Sequence, residues 1–449
     1  MNRRLPAPKY ADWLTSVPTE WDVERLGNVA KILFSNVDKH TIDGEVPVRL
    51  CNYVDVYKNY RITGEIDFME ASAEAREIVR FQIRQDDVLA TKDSETPDDI
   101  AISSLVAQEL PGVLCGYHLA LIRPRQHLAH GPYLAWLHAC KTFRAQYEAQ
   151  AVGVTRFGLS QAAFKEARIP LPSTAEQISI AAYLDDSCAA TDAALAAKRG
   201  QLKTLDALGR TVIQESVTKG LNPNVEMRNS DIDWLPEIPK DWSKAKLKRH
   251  VEMIRGQFTI RPRNDPAYYD GPYPFIQTGS ISATDKFITE FTQTLNEDGL
   301  RISKLFPADT VVMSITGAKI AEVAVTTFEA CFPDSIVGFV PDHCLNRDYL
   351  YYLLIAMKPA LLRAMVVTTQ PNINYVQIGG NYIPLPPVKE QEVIAKHIEQ
   401  KIQGIREIQK SLNEQITALT GYRKSLIHEC VTGQRRVTEA DLQRVGANL

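Results

Sequence analysis

Two stretches of the chain space their hydrophobic residues alternately three and four positions apart. In the later one, Ile398, Ile402, Ile405, Leu412, Ile416, Leu419 and Leu426 follow a coiled-coil seam, interrupted only by the polar Gln409 and Arg423. In the earlier one, Leu184, Cys188, Leu195, Leu202, Leu205 and Val212 keep heptad-compatible spacing from Glu176 to about Thr218, just behind Pro172. The pattern predicts two long helices, each roughly 60 Å at a rise of 1.5 Å per residue, and each is the other's natural packing partner. Ahead of each helix lie short strand-like runs broken by Gly, Asp and Pro: VPVRLCNYVDV, DDVLA and HLALIRP first, then TVVMSI and SIVGFV. The helical patches PYLAWLHACKTFRAQYEAQ and RDYLYYLLIAMKPALLRAM sit late in each half. The expected architecture is α+β, an α/β globule followed by a long helix, made twice.

The duplication is legible residue by residue. IPLPSTAEQISIAAYLDD at 169–186 recurs as IPLPPVKEQEVIAKHIEQ at 383–400, an offset of 214. WLTSVPTEWDVERL at 13–26 matches WLPEIPKDWSKAKL at 234–247, with Trp13 against Trp234 and Trp21 against Trp242 at an offset of 221. Asp87 of DDVLATK aligns with Asp309 of ADTVVMS at 222, while Glu215, Val217 and Thr218 face Glu429, Val431 and Thr432 at 214. The joints keep their length and the middle does not, which marks surface loops, where recognition residues concentrate. The expected domains are a first recognition domain at 1–172, a first long helix and connector at 173–232, a second recognition domain at 233–386, a second long helix at 387–435, and a tail at 436–449. Within this scheme the Pro- and Asn-bearing stretch 219–239 reads as the connector.

Composition narrows the class. A chain of 449 residues, 45% hydrophobic and 23% charged, suits a soluble multidomain protein. The longest strongly apolar run, YLYYLLIAM, is too short to span a bilayer. Seven scattered cysteines without a CxxC pair suit reduced thiols, so a cytoplasmic protein is expected. A net charge of −3 argues against a uniformly basic nucleic-acid binder. Local clusters qualify that average: Arg255, Arg261 and Arg263 without an acid between them, then Lys244, Lys246, Lys248 and Arg249, and finally Arg123 with Arg125.

Catalytic signatures are sparse. NDPAYY at 264–269 approaches the DPPY loop with which amino-methyltransferases hold a flipped base, but Ala267 replaces the second proline and no glycine strand-turn for S-adenosylmethionine accompanies it. SITGAK at 314–319 lacks the GxxxxGK pattern of a phosphate loop. His127 and His130, with His118 and His138 near, bring no carboxylate or cysteine set at metal spacing, and His343, Cys344 and Cys331 are weaker still. No catalytic, cofactor-binding or metal-ligating residue is therefore nominated.

Residues suited to base edges and phosphates do cluster at matching stations of the two halves. The first half offers Arg49, Asn52, Tyr53 and Lys58 in RLCNYVDVYKNYR, Lys92 in TKDS, and Arg156 in VTRFGLS. The second offers Arg255, Arg261 and Arg263, Gln277 and Thr278 in QTGSISATDK, Lys319 in SITGAK, and Gln370, Asn372 and Asn374 in TTQPNIN. The framework aligns while the polar residues differ, as expected of two readers tuned to different words.

These motifs together resemble the DNA specificity subunit, HsdS, of type I restriction-modification enzymes. The resemblance rests on Pro18, Trp21 and Leu26 against Pro239, Trp242 and Leu247, on the strands near Asp87 and Asp309, and on IPLPxxxEQ, with Glu176/Gln177 and Glu390/Gln391, leading into a long helix. It implies two target recognition domains reading a bipartite, asymmetric double-stranded DNA target. It also implies helices packed antiparallel as a spacer. It implies two modification subunits that carry S-adenosylmethionine and methylate adenine, and ATP- and Mg2+-dependent restriction subunits that translocate and cut. Two alternatives remain open: a similar subunit of another restriction-modification type, or an adenine methyltransferase using NDPAYY.

Overall fold

In the computed structural model, residues 9–259, 265–317, 319–363, 365 and 372–446 are described. They form two compact units, one made of the residues up to Arg199 with those from Glu414 onward, the other of Gly200–Asn413. Both divisions fall inside a long helix, and they lie 214 residues apart, the offset of the IPLP repeat.

Each unit is built on a five-stranded sheet of one topology. In the first the order is Ala30–Phe34, Leu119–Pro124, Val88–Thr91, Ser103–Val106, Arg61–Ile62; in the second it is Val251–Arg255, Ile336–Pro341, Val311–Ser314, Val323–Thr326, Phe287–Ile288. Neighbours are antiparallel except the last pair of each sheet, which is parallel. The central strands read as continuous apolar runs because both faces are covered. Val88 and Ala90 point into one hydrophobic cluster and Leu89 into another; Val311 and Met313 likewise oppose Val312.

The two sheets also correct an alignment. Asp86 and Asp309, not Asp87 and Asp309, occupy one position: both have left-handed φ, 68° and 62°, and each amide donates to the neighbouring strand, at Val106 and Thr326. Asp87 instead matches Thr310, since Val106 and Thr326 donate back to their carbonyls. Consecutive aspartates in the first half hid the one-residue shift.

Outside this frame the units differ. The first adds a sheet with Val46–Cys51 between Met69–Ala73 and Val113–Cys115; among the described residues the second instead has two-stranded pairs, such as Tyr269–Pro274 with Thr294–Leu295 and Leu305–Phe306 with Ala330–Cys331. The stretch read as a connector holds a hairpin, Met227–Ile232 against Leu235–Pro239. It was illegible because its strands are short, polar and proline-bearing.

The long helices run Thr174–Lys219 and Val388–Val431. In each unit a segment of one lies antiparallel to a segment of the other. In the first, Lys198 meets Gln415 and Arg423 meets Asp192; in the second, Gln409 meets Asp206 and Gly209 lies under Ile402 and Ile405. The two polar interruptions of the seam are thus paired with aspartates, at 2.9 Å for Arg423 and 2.6 Å for Gln409. Leu184, Leu195, Ile398, Ile405 and Leu412 are buried, and Leu202, Leu205, Ile402, Ile416 and Leu419 half-buried.

Candidate nucleic-acid interface

The repeated motifs build the joint between globule and helix. Gln177 and Gln391 are fully buried, and each satisfies three backbone groups: Gln177 donates to Pro172 and Leu128 and accepts from the His130 amide; Gln391 donates to Pro386 and Cys344 and accepts from the Asn346 amide. Tyr133 and Tyr349 are equally matched. Tyr133 donates to the carbonyl of Pro170, at 3.0 Å, and to that of Val431; Tyr349 donates to those of Pro384 and Val217. Trp21 and Trp242 close the joint from the other side, the first under Gly433, whose φ is +76°, the second under Gly220, at +73°. The tail belongs to this joint, with Arg436 on Glu176 and Glu20, and Val437 and Leu442 on the first core.

In the first unit the three polar stations converge. Lys92 lies over the rings of Phe34 and Tyr117, at 5.3 and 4.6 Å. The next residue, Asp93, binds both Arg156, at 2.6 Å, and His118, at 3.0 Å. Tyr53 stacks on Tyr57 at 5.6 Å and senses Asp99, Asp93 and Arg156; burial first, then Asp99, raises its phenol pKa. Arg156 stands on a small ribbon, Val152–Gly153 against Phe157–Gly158 and Asp93–Ser94, whose tip exposes Val154 and Thr155. Gly153 is required there, since a Cβ would meet the Arg156 carbonyl at 1.9 Å. Asn52 caps the helix Tyr53–Lys58 in a capping box with Asp55, and Lys58 is exposed at its end. Arg49 is exposed on its strand, its guanidinium donating to the Pro111 carbonyl and lying over Phe68.

Among the described residues, the second unit brings together parts of its stations. Thr316 bridges Asn372, and Ile373 donates to Ile315, so the SITGAK and NIN segments lie side by side, with Lys319 exposed in the adjoining turn. Asn374 accepts from the Val376 amide as a helix cap, and Arg255 lies over Tyr375 while donating to the Asp334 carbonyl. Gln277 stands at the N-cap position of Thr278–Ala283 and donates its side-chain amide to Gln293. Arg261, Arg263 and Gln370 lie outside the described residues.

Several charged groups singled out in the sequence have structural uses. Arg123 clamps Asp87 at 2.6 Å and the Gln82 carbonyl, and burial outweighs that partner in raising the Asp87 pKa. Lys244 and Lys246 cover Tyr382, with Lys244 also on Asp231. Asp265 spends a carboxylate oxygen on the Ala267 amide, and Tyr268 packs against Phe258. Sequence reasoning did not nominate Tyr57, Asp93, Tyr117 or His118 as DNA contacts, although Tyr57 and Asp93 lie inside the strings RLCNYVDVYKNYR and TKDS, and they complete the first cluster.

The geometry has close counterparts among known proteins. The family model for the type I restriction modification DNA specificity domain matches twice, at residues 18–204 and 239–418. A putative specificity subunit of the type I restriction enzyme MjaX of Methanocaldococcus jannaschii is 21% identical, over 94% of this chain and 95% of that protein. A solved chain described under complex assembly and conformational transition of the type I restriction-modification system aligns over 92% of this chain and 98% of its own, at a TM-score of 0.73 and 19% identity. The HsdS subunit of Thermoanaerobacter tengcongensis aligns over 93% and 98%, at 0.55 and 19% identity.

Proposed function

The chain belongs to the type I restriction-modification DNA specificity family, and from that premise we propose how its two halves share the reading of DNA. It is a specificity subunit, the DNA-recognition component of such a system, working alongside other subunits. Each unit reads one part of a bipartite, asymmetric target, in the major groove, where the base pairs are distinguishable. The observation that carries this reading is the pair of sheets with one topology and unlike polar stations: a common frame and two different reading surfaces.

In the first unit the reading surface is Lys92, Arg156, Tyr53, Asn52, Arg49 and Lys58. In the second it is Arg255, Lys319, Asn372, Asn374, Gln277 and Thr278, with Arg261, Arg263 and Gln370 assigned to it from sequence. Two modification subunits bring S-adenosylmethionine and adenine methylation, and restriction subunits bring ATP- and Mg2+-dependent cleavage, all in the cytoplasm. This chain itself is the non-catalytic member. Among the described residues no helix is long and apolar enough to cross a membrane.

Long-read methylation mapping of a host with and without the gene tests the reading. The expected result is a gene-dependent motif of two specific blocks around a non-specific gap, with one methylated adenine in each block. A single uninterrupted motif, or none, counts against it. Titration of the purified chain with S-adenosylmethionine separates the enzyme alternative, since a specificity subunit gives no binding heat.

A further inference from the structure

A carboxylate on each long helix gathers two donors from its own globular part, both on a single oxygen. In the first unit Asp185 Oδ1 accepts from Trp136 Nε1 at 2.9 Å and from Arg61 Nη2 at 2.7 Å. In the second, Glu399 Oε2 accepts from the Tyr352 hydroxyl at 2.8 Å and from Lys286 Nζ. Asp185 and Glu399 stand at the 214 offset, and each lies eight residues beyond the buried glutamine of its joint. The donors differ chemically, indole and guanidinium against phenol and ammonium, while the element supplying each is the same. One comes from the helix packed on the sheet, Gly131–Ala139 or Arg347–Arg363, and the other from the short parallel edge strand or the residue before it.

The placement explains what this contact adds. The joint at Gln177 or Gln391 anchors the globule near the helix start, and the packing beyond it, through Ile180, Leu184 and Cys188 in the first unit and Ile394 and Ile398 in the second, is apolar and non-directional. A directional contact about 12 Å beyond the glutamine, at 1.5 Å per residue, ties the helix to one edge of the sheet. It reaches the parallel edge of the five-stranded sheet, the edge opposite Ala30–Phe34 or Val251–Arg255. Ion pairs as open as Arg61 with Asp185, at 44% and 27% side-chain exposure, contribute little to folding stability. Geometry is therefore the main thing the contact can supply. In the second unit Glu399 is not the sole partner of Lys286, which also meets Asp348 at 3.2 Å and the rings of Phe287, Tyr351 and Tyr352.

We propose that Asp185 and Glu399 are positioning residues: each fixes the angle of its recognition sheet on the long helix, and together they set which gap between half-sites the subunit accepts. The proposal rests on the bipartite reading above. The test uses the complex reconstituted with its partner subunits, and DNA carrying the mapped target with its gap native, one base pair shorter or one longer. Asp185→Ala and Glu399→Ala, separately, are expected to reduce the preference for the native gap about tenfold, or about 1.4 kcal/mol, while both half-site motifs stay as they were. Asp185→Asn, which keeps an acceptor oxygen, restores part of the preference. An unchanged gap preference in both alanine variants, whatever happens to melting temperature or overall affinity, overturns the proposal and leaves the contacts merely structural. If the unaltered complex has no gapped target, the bipartite reading itself has failed, and the gap series on wild type shows this before any variant is measured.

Discussion

His138 illustrates how a single buried group ties the first core to pH. It is fully buried; its Nδ1–H donates to the Leu134 carbonyl at 2.7 Å, and Tyr147 donates its hydroxyl to Nε2 at 3.1 Å. Burial pushes its pKa from 6.5 down to about 4. Below pH 6.5 the unfolded chain takes up a proton that the folded one refuses, so stability is lost as pH falls from 6.5 toward 4, by about 3 kcal/mol across that window. Thermal unfolding of wild type against His138→Gln checks this: the difference between their slopes lies in that window, and a constant difference would refute it. On the reading surface, Arg156→Ala is expected to cost about 1–3 kcal/mol of DNA affinity and relax one base position, whereas Lys58→Ala weakens all sequences alike and lowers the salt slope by about one. Salt-dependent binding to target and scrambled DNA separates the two. The sequence supplied Arg156 and Lys92 as candidates by residue type, but not their partners Asp93 and Tyr117, because those contacts join segments far apart in the chain.

At the scale of elements, the joint motifs are the strongest sequence signal, and their glutamines are spent on buried backbone groups. Gln177→Leu strands the buried Pro172 carbonyl and the part-buried Leu128 carbonyl and His130 amide, and is expected to cost about 2–4 kcal/mol given the price of unsatisfied buried groups. Gln391→Leu does the same in the other unit. Differential scanning calorimetry should show each substitution lowering the transition of its own unit more than the other; equal shifts would show that the units do not unfold separately. The long helices were legible because three-four spacing survives over many turns, and the observed helices, Thr174–Lys219 and Val388–Val431, run beyond the seams at both ends. The hairpin 227–239 was not, since its pairing comes from an antiparallel register with a shift between Asn229 and Ile232 and not from any alternation of polarity. The offset of Asp86 and Asp309 was likewise hidden until hydrogen bonds identified equivalent residues.

For the whole molecule, two expectations concern how the repeats cooperate. Exchanging residues 23–168 for the same region of a relative should change one block of the methylated motif and leave the other alone; methylation mapping that shows both blocks altered would mean the units do not read independently. Inserting four residues after Leu202 and four after Ile416 lengthens both helices together by about 6 Å, against about 3.4 Å per base pair of DNA. The gap should grow by one or two base pairs, and an assembled, active variant that keeps the original gap would show that the helices do not set it.

The sequence by itself determined the duplication, the α+β frame, both long helices and the two polar interruptions of their seam, because hydrophobic spacing and exact local strings are properties of neighbouring residues. Only the tertiary structure decided which carboxylate holds which donor, that Asp93 gathers Arg156 and His118, that Arg123 is committed to a buried aspartate, and that both compact units divide within the long helices. Those facts depend on chain segments brought together by burial, and burial is a property of the folded whole that no local window contains.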